Sequence, residues 1–581
     1  MNLNTEPTNH SPSPSPSPSP SPSRRTLLQC LVGLGIGTPA FQRALAIQAE
    51  DAHQVTAETV KEAEWIAGIT LTDEQRESAQ RSLKRLHSQC DAIRSVDLAY
   101  DTPPALHFNP QPVKDAARSA PKNRIAVPAE QHVGQIPDDE EDIAFLPLGE
   151  LSSLVKNRKI SSVELTKLFL KRLRRFDSLL HCVVTYTDDV AMRQAKQADR
   201  ELAQGIYRGP LHGIPWGAKD LIAYPGYPTT WGAKPFVDQI IDQKATVAER
   251  LESVGAVLVA KLSLGALAMG DRWQGGMTRN PWNPKEGSSG SSAGPASAVC
   301  AGLVPFSLGS ETLGSIVSPC RRCSITGLRP TFGRVSRHGC MPLAWSMDKI
   351  GPITRSVDAC ALVFDAIHGG DRRDPTAVTH PFHWPASDTL PGLRVGMFEK
   401  DVDGPIGDAV RALGVHVKTI RLPDDLPIWP LTTILHVEAA TSFDQLTRSG
   451  VTEGLNRWPG IFHQAHFTSA VDYVRANRIR TLWMARMEEV FQDVDLYVQG
   501  DDLAITNLTG HPSVVIPFGR RGKIEDEQPS SLVFTGRLYG ETELLAFSHA
   551  FQRQFEYDKQ RPPLERWFVE AQKEKDSTGG D

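Results

Sequence analysis

The sequence predicts an α/β fold: a mixed central sheet covered by helices. Three observations point there. Apolar residues recur at helical spacing behind capping signals, short apolar runs of strand length alternate with those helices, and the composition is that of a globular protein. Of 581 residues, 40% are hydrophobic and 23% charged, which excludes wholesale disorder and a collagen-like fibre. That length suits one large α/β domain or two to four smaller ones. Lys plus Arg number 63 against Asp plus Glu 68, a net charge of −5 with both signs spread along the chain. This argues against an electrostatic grip on nucleic acid or anionic lipid. No apolar run reaches the roughly 18 to 20 residues that span a bilayer. Eight Cys in so long a chain are no disulfide scaffold. Membrane channel, nucleic-acid binder and small stapled domain are excluded.

The first 46 residues read as an address. Residues 11–23 alternate Ser and Pro, a pattern that stays extended and solvated. Arg24-Arg25, an apolar stretch from Leu31 to Phe41 loosened by Gly33, Gly35 and Gly37, and Ala44-Leu45-Ala46 follow. Together they resemble a bacterial twin-arginine export signal cleaved after Ala46, which implies a periplasmic or extracellular protein. The alternatives are a basic tail beside an accidental apolar patch, or an uncleaved anchor, which so short and Gly-rich a stretch opposes. Cleavage would remove Cys30 and leave seven Cys, so at least one thiol stays unpaired or pairs between chains. Residues 47–140 read as a helical extension and linker: helices over Glu58–Ile66 and Asp73–Ile93, then a Pro-rich, charged segment from Thr102 to Asp142.

The body alternates helix and strand. Ser161-Ser162-Val163-Glu164 is a capping box, and behind it Leu165, Leu168, Phe169, Leu173 and Phe176 share a face, with Lys171, Arg172, Arg174 and Arg175 largely on the other side. Val183 to Thr187 reads as a strand. Thr246-Val247-Ala248-Glu249 reads as a second capping box, with a helix stopped at Gly255 and a buried strand over Ala256–Ala260. Leu393–Phe398 and Val415–Ile420 bracket a short helix, Ser469–Val490 is a long helix, and Ser513–Ile516 an apolar strand. No internal repeat is visible.

Three segments are too rich in Gly, Ser and small residues for plain packing: Gly213 to Asp220, Asn280 to Gly294, and Gly309 to Ile316. Such runs bring backbone N–H groups and hydroxyls close to a ligand. A lysine among apolar and small neighbours has its pKa lowered and acts as a neutral base, and Ser plus Lys is one form of the activated serine. Composition alone leaves a flexible linker equally open.

Order and spacing decide between the two. Pro210-Leu211-His212-Gly213-Ile214-Pro215, Arg279-Asn280-Pro281-Trp282-Asn283-Pro284, Gly327 to Ser336, and Asp348 to Ser356 follow one another, with a weaker match at Thr506 to Pro512. From Glu141 to Phe555 the chain resembles the amidase signature family of serine hydrolases. That resemblance implies a single large catalytic domain over 141–555, followed by a polar tail over 556–581. It also implies a Lys, cis-Ser, Ser triad. Lys219 matches the lysine and Ser315 the nucleophile. Both Ser288 and Ser291 sit in a pattern like the family's bridging serine, but Ser291 stands 24 residues before Ser315, the family's spacing. The assignment is therefore Ser291, with Ser292 in support and a cis peptide expected before Ser291. Ser315 would attack a carbonyl while Ser291 relays its proton to Lys219. Backbone N–H groups of Thr312, Leu313, Gly314 and Ser315 would hold the oxyanion.

Three departures stand against the family's pattern around the nucleophile: Glu311 in place of Asp, Leu313 in place of Gly, and Val317 in place of Arg. Leu313 would crowd the oxyanion, Val317 would remove a bracing guanidinium, and Glu311 would still serve as a carboxylate brace. Cys320-Arg321-Arg322-Cys323 has no partner pair at zinc spacing, and its arginines oppose a cation. His212 reads as structural and Asp501-Asp502 as a solvated turn. The resemblance thus implies hydrolysis of a carboxamide, a non-peptide C–N bond in a linear amide, with esters as a further class. No metal and no organic cofactor are expected. The partner expected is a small-molecule amide, with no nucleic acid and no stable membrane insertion after processing; a homodimer is left open. The rivals are the glutaminase component of a tRNA-dependent amidotransferase, which an export signal opposes, and a secreted amide-binding relic.

Overall fold

The computed structural model describes residues 55–97, 106, 124–125, 136–385, 387–500, 502–521 and 528–577; the export signal, Cys30 and most of the Pro-rich linker lie outside these. The chain divides into two units, one to Lys84 and one from Arg85. In the first, the helix Ala57–Ala67 opens with a reciprocal cap between Thr56 and Thr59 and closes at Gly68, in the left-handed region at φ +65°. A second helix, Asp73–Arg94, runs across the division, its start capped by Thr72 and Gln75 in turn. The buried Glu64 carboxylate accepts from Arg76 Nε at 2.6 Å.

The larger unit is built on an 11-stranded mixed sheet. Its strands, in chain order, are β1 (Val183–Tyr186), β2 (Pro215–Lys219), β3 (Val257–Leu262), β4 (Phe306–Glu311), β5 (Thr326–Arg329), β6 (Lys349–Thr354), β7 (Arg394–Met397), β8 (His416–Thr419), β9 (Leu496–Val498), β10 (Ser513–Arg521) and β11 (Gln528–Gly536). Across the sheet they lie in the order β8-β7-β9-β11-β10-β5-β6-β4-β2-β3-β1. The β2–β3, β2–β4, β7–β8 and β7–β9 pairs are parallel and the others antiparallel. Both faces are covered, which is why the central strands are apolar without alternation. Val257 and Val259 join one hydrophobic cluster and Leu258 the other; Val515 likewise opposes Val514 and Ile516.

Most local expectations match. Ser161 and Glu164 form the capping box of Ser162–Leu180, and its five predicted apolar residues are buried. Ser469 caps Ala470–Asp493 by accepting from Asp472 N. Gly255 ends its helix at φ +81°. Four expectations are corrected. Thr246 is the first residue of its helix, not the cap, because its hydroxyl is turned to Asp371. Arg172 is buried, donating to the carbonyls of Gly302 and Ala301 at 3.0 and 3.4 Å. Asp502 is no solvated turn: it is buried, accepting from Tyr497 Oη and from Thr535 Oγ1. The segment read as a polar tail forms the helix Leu564–Ser577, anchored by buried Leu564 and by Phe568 edge-on to Phe176.

Candidate active site

Because β2 and β4 run parallel, their last residues reach one edge of the sheet together. Lys219 closes β2 there, wholly buried. Its Nζ lies 2.8 Å from Ser291 Oγ, 3.0 Å from Ser292 Oγ, 2.9 Å from Ser310 Oγ and 3.3 Å from the Ser310 carbonyl. Burial drives the Lys219 pKa well below that of a free lysine, and the charges of Glu311 and Asp348 oppose it only in part.

The serines come from a loop that only small residues can form. A Cβ on Gly290 would sit 1.9 Å from the Gly270 carbonyl oxygen, and the peptide from Gly290 to Ser291 is cis, as expected. Ser291 is fully buried. Ser292 precedes the helix Ala293–Cys300; its Oγ donates to the Ser310 carbonyl and accepts from Ser310 N, both at 3.1 Å. Ser288 is turned away, donating to the Ser289 carbonyl at 3.0 Å. Of the two candidates, only Ser291 is brought to the lysine.

Ser315 follows Gly314, which holds φ at +85°. Its carbonyl accepts from Ser292 N at 3.0 Å, tying the nucleophile loop to the serine loop. Lys219, Ser291 and Ser292 are 0% exposed, whereas Thr312 and Ser315 are 6% and 8% exposed, so solvent reaches the candidate nucleophile but not the candidate base. The N–H groups of Leu313, Gly314 and Ser315 meet no acceptor among the described residues, as donors awaiting an oxyanion would. Thr312 is fixed through its hydroxyl, which donates to Asp348 Oδ1 at 2.6 Å.

Glu311 lies under this loop. Its Oε1 accepts from Arg329 at 2.8 Å and Asn507 at 2.7 Å, and its Oε2 from the N–H groups of Ile316 and Val317 at 2.8 and 2.9 Å. Burial pushes its carboxyl up, but Arg329, Lys349 and the Val317 N–H outweigh that and hold it at about 2. A guanidinium does reach this carboxylate, that of Arg329, itself held by the His511 carbonyl and Ser513 Oγ. Leu313 packs against the hydrophobic core.

Ser310, Arg329, Asn507 and Asp348 carry no assigned role in the sequence analysis. Ser310 had a signal, since it lies inside the third Gly/Ser segment. Cys320 and Cys323 are both buried and form no disulfide, and His212 is buried beside Glu201 at 3.1 Å.

The family model described as Amidase matches residues 164–499. The chain is 32% identical over 490 residues to the putative amidase AmiD of Mycobacterium tuberculosis, covering 73% of this chain and 98% of that protein. It is 31% identical over 493 residues to a glutamyl-tRNA(Gln) amidotransferase subunit of Moorella thermoacetica, covering 73% and 99%. Among solved structures, native peptide amidase from Stenotrophomonas maltophilia superposes with a TM-score of 0.62 at 26% identity, over 72% of this chain and 98% of that one.

Proposed function

From the premise that this chain belongs to the amidase family, and so hydrolyses amide bonds, we propose that it does so through a serine acyl-enzyme formed by Ser315, Ser291 and Lys219. The observation that carries this reading is the buried Lys219 amine 2.8 Å from Ser291 Oγ. The hydrogen bonds around that amine suit a neutral lysine. Ser292 directs its proton to the Ser310 carbonyl, so it accepts from Lys219; the carbonyl and hydroxyl of Ser310 take the second N–H. The nitrogen lone pair is left for the Ser291 hydroxyl.

In the proposed cycle Ser315 Oγ attacks the carbonyl as its proton passes to Ser291, whose own proton passes to Lys219. The oxyanion takes the N–H groups of Leu313, Gly314 and Ser315. Lys219 returns the proton through Ser291 to the leaving amine, and water then releases the acid by the same relay. Small linear carboxamides are the proposed substrates. The solved relative named a peptide amidase adds C-terminal peptide amides to the panel. Ammonia release from those amides, abolished in Ser315→Ala, is the expected result; release that persists in that variant would refute the reading.

A second reading is favoured by the relative from Moorella thermoacetica, named for an amidotransferase: a glutaminase that would release ammonia from glutamine for a transfer reaction. Glutamine turnover by the isolated chain, with other amides untouched, would select it. The sequence's Arg24-Arg25 and Ala44-Leu45-Ala46 support export instead, and we propose a periplasmic or extracellular enzyme. No helix among the described residues is long and apolar enough to cross a membrane.

A further inference from the structure

We infer that Asp271, which lies outside the triad, is a positioning residue that sets Ser291 against Lys219, an inference that rests on the Lys–Ser–Ser reading above. The relay needs Ser291 Oγ within hydrogen-bond reach of Lys219, and an error of about 1 Å in such a placement costs about a hundredfold in rate. Beyond Ser291 the chain is well held: Ser292 N donates to the Ser315 carbonyl at 3.0 Å, and the helix Ala293–Cys300 begins there. Ahead of Ser291 no regular element does this work. The short strand Asn283–Gly287 ends, and Ser288, Ser289 and Gly290 cross to Ser291 as a loop. Within that loop Ser289 holds φ at +61°, in the left-handed region that a side chain with a Cβ disfavours. Such a conformation persists only where its surroundings enforce it.

Asp271 supplies the constraint. Its Oδ2 accepts from Ser289 N at 3.0 Å. Its carbonyl accepts from Thr278 N at 3.0 Å, and the Thr278 carbonyl accepts from Ser288 N at 2.9 Å. Two glycines let this segment come close. A Cβ on Gly287 would strike the Asp271 carboxylate, and one on Gly290 would strike the Gly270 carbonyl just before Asp271. The same segment is tied to the lysine. Gln274 donates from N to the Gly232 carbonyl at 3.1 Å and from Nε2 to Thr230 Oγ1 at 2.8 Å. Thr230 donates to Asp220 Oδ2 from N at 2.9 Å and from Oγ1 at 2.6 Å. Asp220 follows Lys219, and its Oδ1 pairs with the buried Lys261 at 2.7 Å. Asn456 fixes the segment from its other side, donating to the carbonyls of Met269 and Arg272, both at 3.0 Å. Hydrogen bonds and short stretches of backbone thus close a ring from Lys219 through Asp220, Thr230, Gln274 and Asp271 to Ser289 and Ser291. The ring returns to Lys219 at 2.8 Å. In it, the Asp271 carboxylate is the side-chain link to the loop that delivers Ser291.

Labelling of Ser315 by a small neutral fluorophosphonate, followed on the full chain over a range of probe concentrations, tests this. Asp271→Ala should lower the limiting labelling rate by about tenfold or more and leave the half-saturating concentration within about twofold, because Asp271 acts through Ser291 rather than on the probe. Asp271→Asn keeps an acceptor for the Ser289 N–H and should recover most of that loss. Gly287→Ala, which drives a methyl group into the carboxylate, should reproduce the slow labelling and keeps the test in hand if Asp271→Ala does not fold. In a Ser291→Ala background Asp271→Ala should add nothing, since both changes act through one hydroxyl. Labelling of Asp271→Ala at the wild-type rate, an Asn variant as slow as the Ala one, or a full further loss on top of Ser291→Ala would overturn the inference and leave the hydrolase reading standing. No labelling of the wild type, or labelling of Ser291→Ala at the wild-type rate, would overturn the Lys–Ser–Ser reading and this inference with it.

Discussion

Replacing Glu311 with Gln tests how the nucleophile loop is held. Both carboxylate oxygens are used, one by Arg329 and Asn507 and one by the N–H groups of Ile316 and Val317. The carboxyl sits at about 2 against an ordinary 4.5, a difference of about 2.5 units, on the order of 3 kcal/mol in favour of the charged form in the folded state. Because the folded value is the lower one, this stabilisation is complete above about pH 4.5 and is lost as pH falls toward 2. Glu311→Gln forfeits it at neutral pH and leaves the Arg329 charge buried without its partner. Unfolding entropy of about 2.1 cal/mol/K per residue, over roughly 500 ordered residues, makes ~3 kcal/mol a Tm loss of about 3 °C. Calorimetry at pH 7 and pH 3 should show that gap at pH 7 and about half of it at pH 3. A gap equal at both pH values, or none at pH 7, would refute the charge argument.

Three further outcomes are expected. Amide hydrolysis, as kcat/KM, should rise with pH through one ionisation and then level, because the depressed Lys219 must be neutral to accept a proton; Lys219→Ala should remove that limb and Lys219→Arg should not restore it, whereas loss of the same limb in a His variant would point to another base. Ser291→Ala should slow acylation by about a hundredfold or more, while Ser288→Ala, whose hydroxyl faces the Ser289 carbonyl, should stay close to wild type; the reverse ranking would reject the serine assignment. Lys in place of both Arg24 and Arg25 should hold the precursor in the cytoplasm, and normal export of that double variant would remove the twin-arginine proposal.

What the sequence disclosed was what local chemistry controls. Ser161 and Glu164, Ser469 and Gly255 act within one turn of themselves, and their helix ends fall where expected. The segments that hold Lys219, Ser291 and Ser315 were visible as small, Gly-rich runs, but the three residues themselves were singled out by the resemblance to the amidase signature family. The supports of the site were not visible. Arg329 reaches Glu311 from β5, and Asn507 reaches it from a helix nearly two hundred residues away; only the sheet order brings them together. Asp502 was misjudged for the same reason, since its burial is set by Tyr497 on β9 and Thr535 on β11. Thr246 had the right pattern for a cap, but Asp371, distant in sequence, takes its hydroxyl. Leu564 and Phe568 are too few to mark a helix in a polar stretch, yet they anchor one.

The most direct test of the Lys–Ser–Ser account is to map the covalent adduct left by a small fluorophosphonate on the intact protein by peptide mass spectrometry. The account predicts one adduct, on Ser315 Oγ, formed in the wild type and slowed severely in both Lys219→Ala and Ser291→Ala. An adduct on Ser288, Ser291 or any other residue, or labelling of Ser315 at the wild-type rate without Lys219, would contradict it.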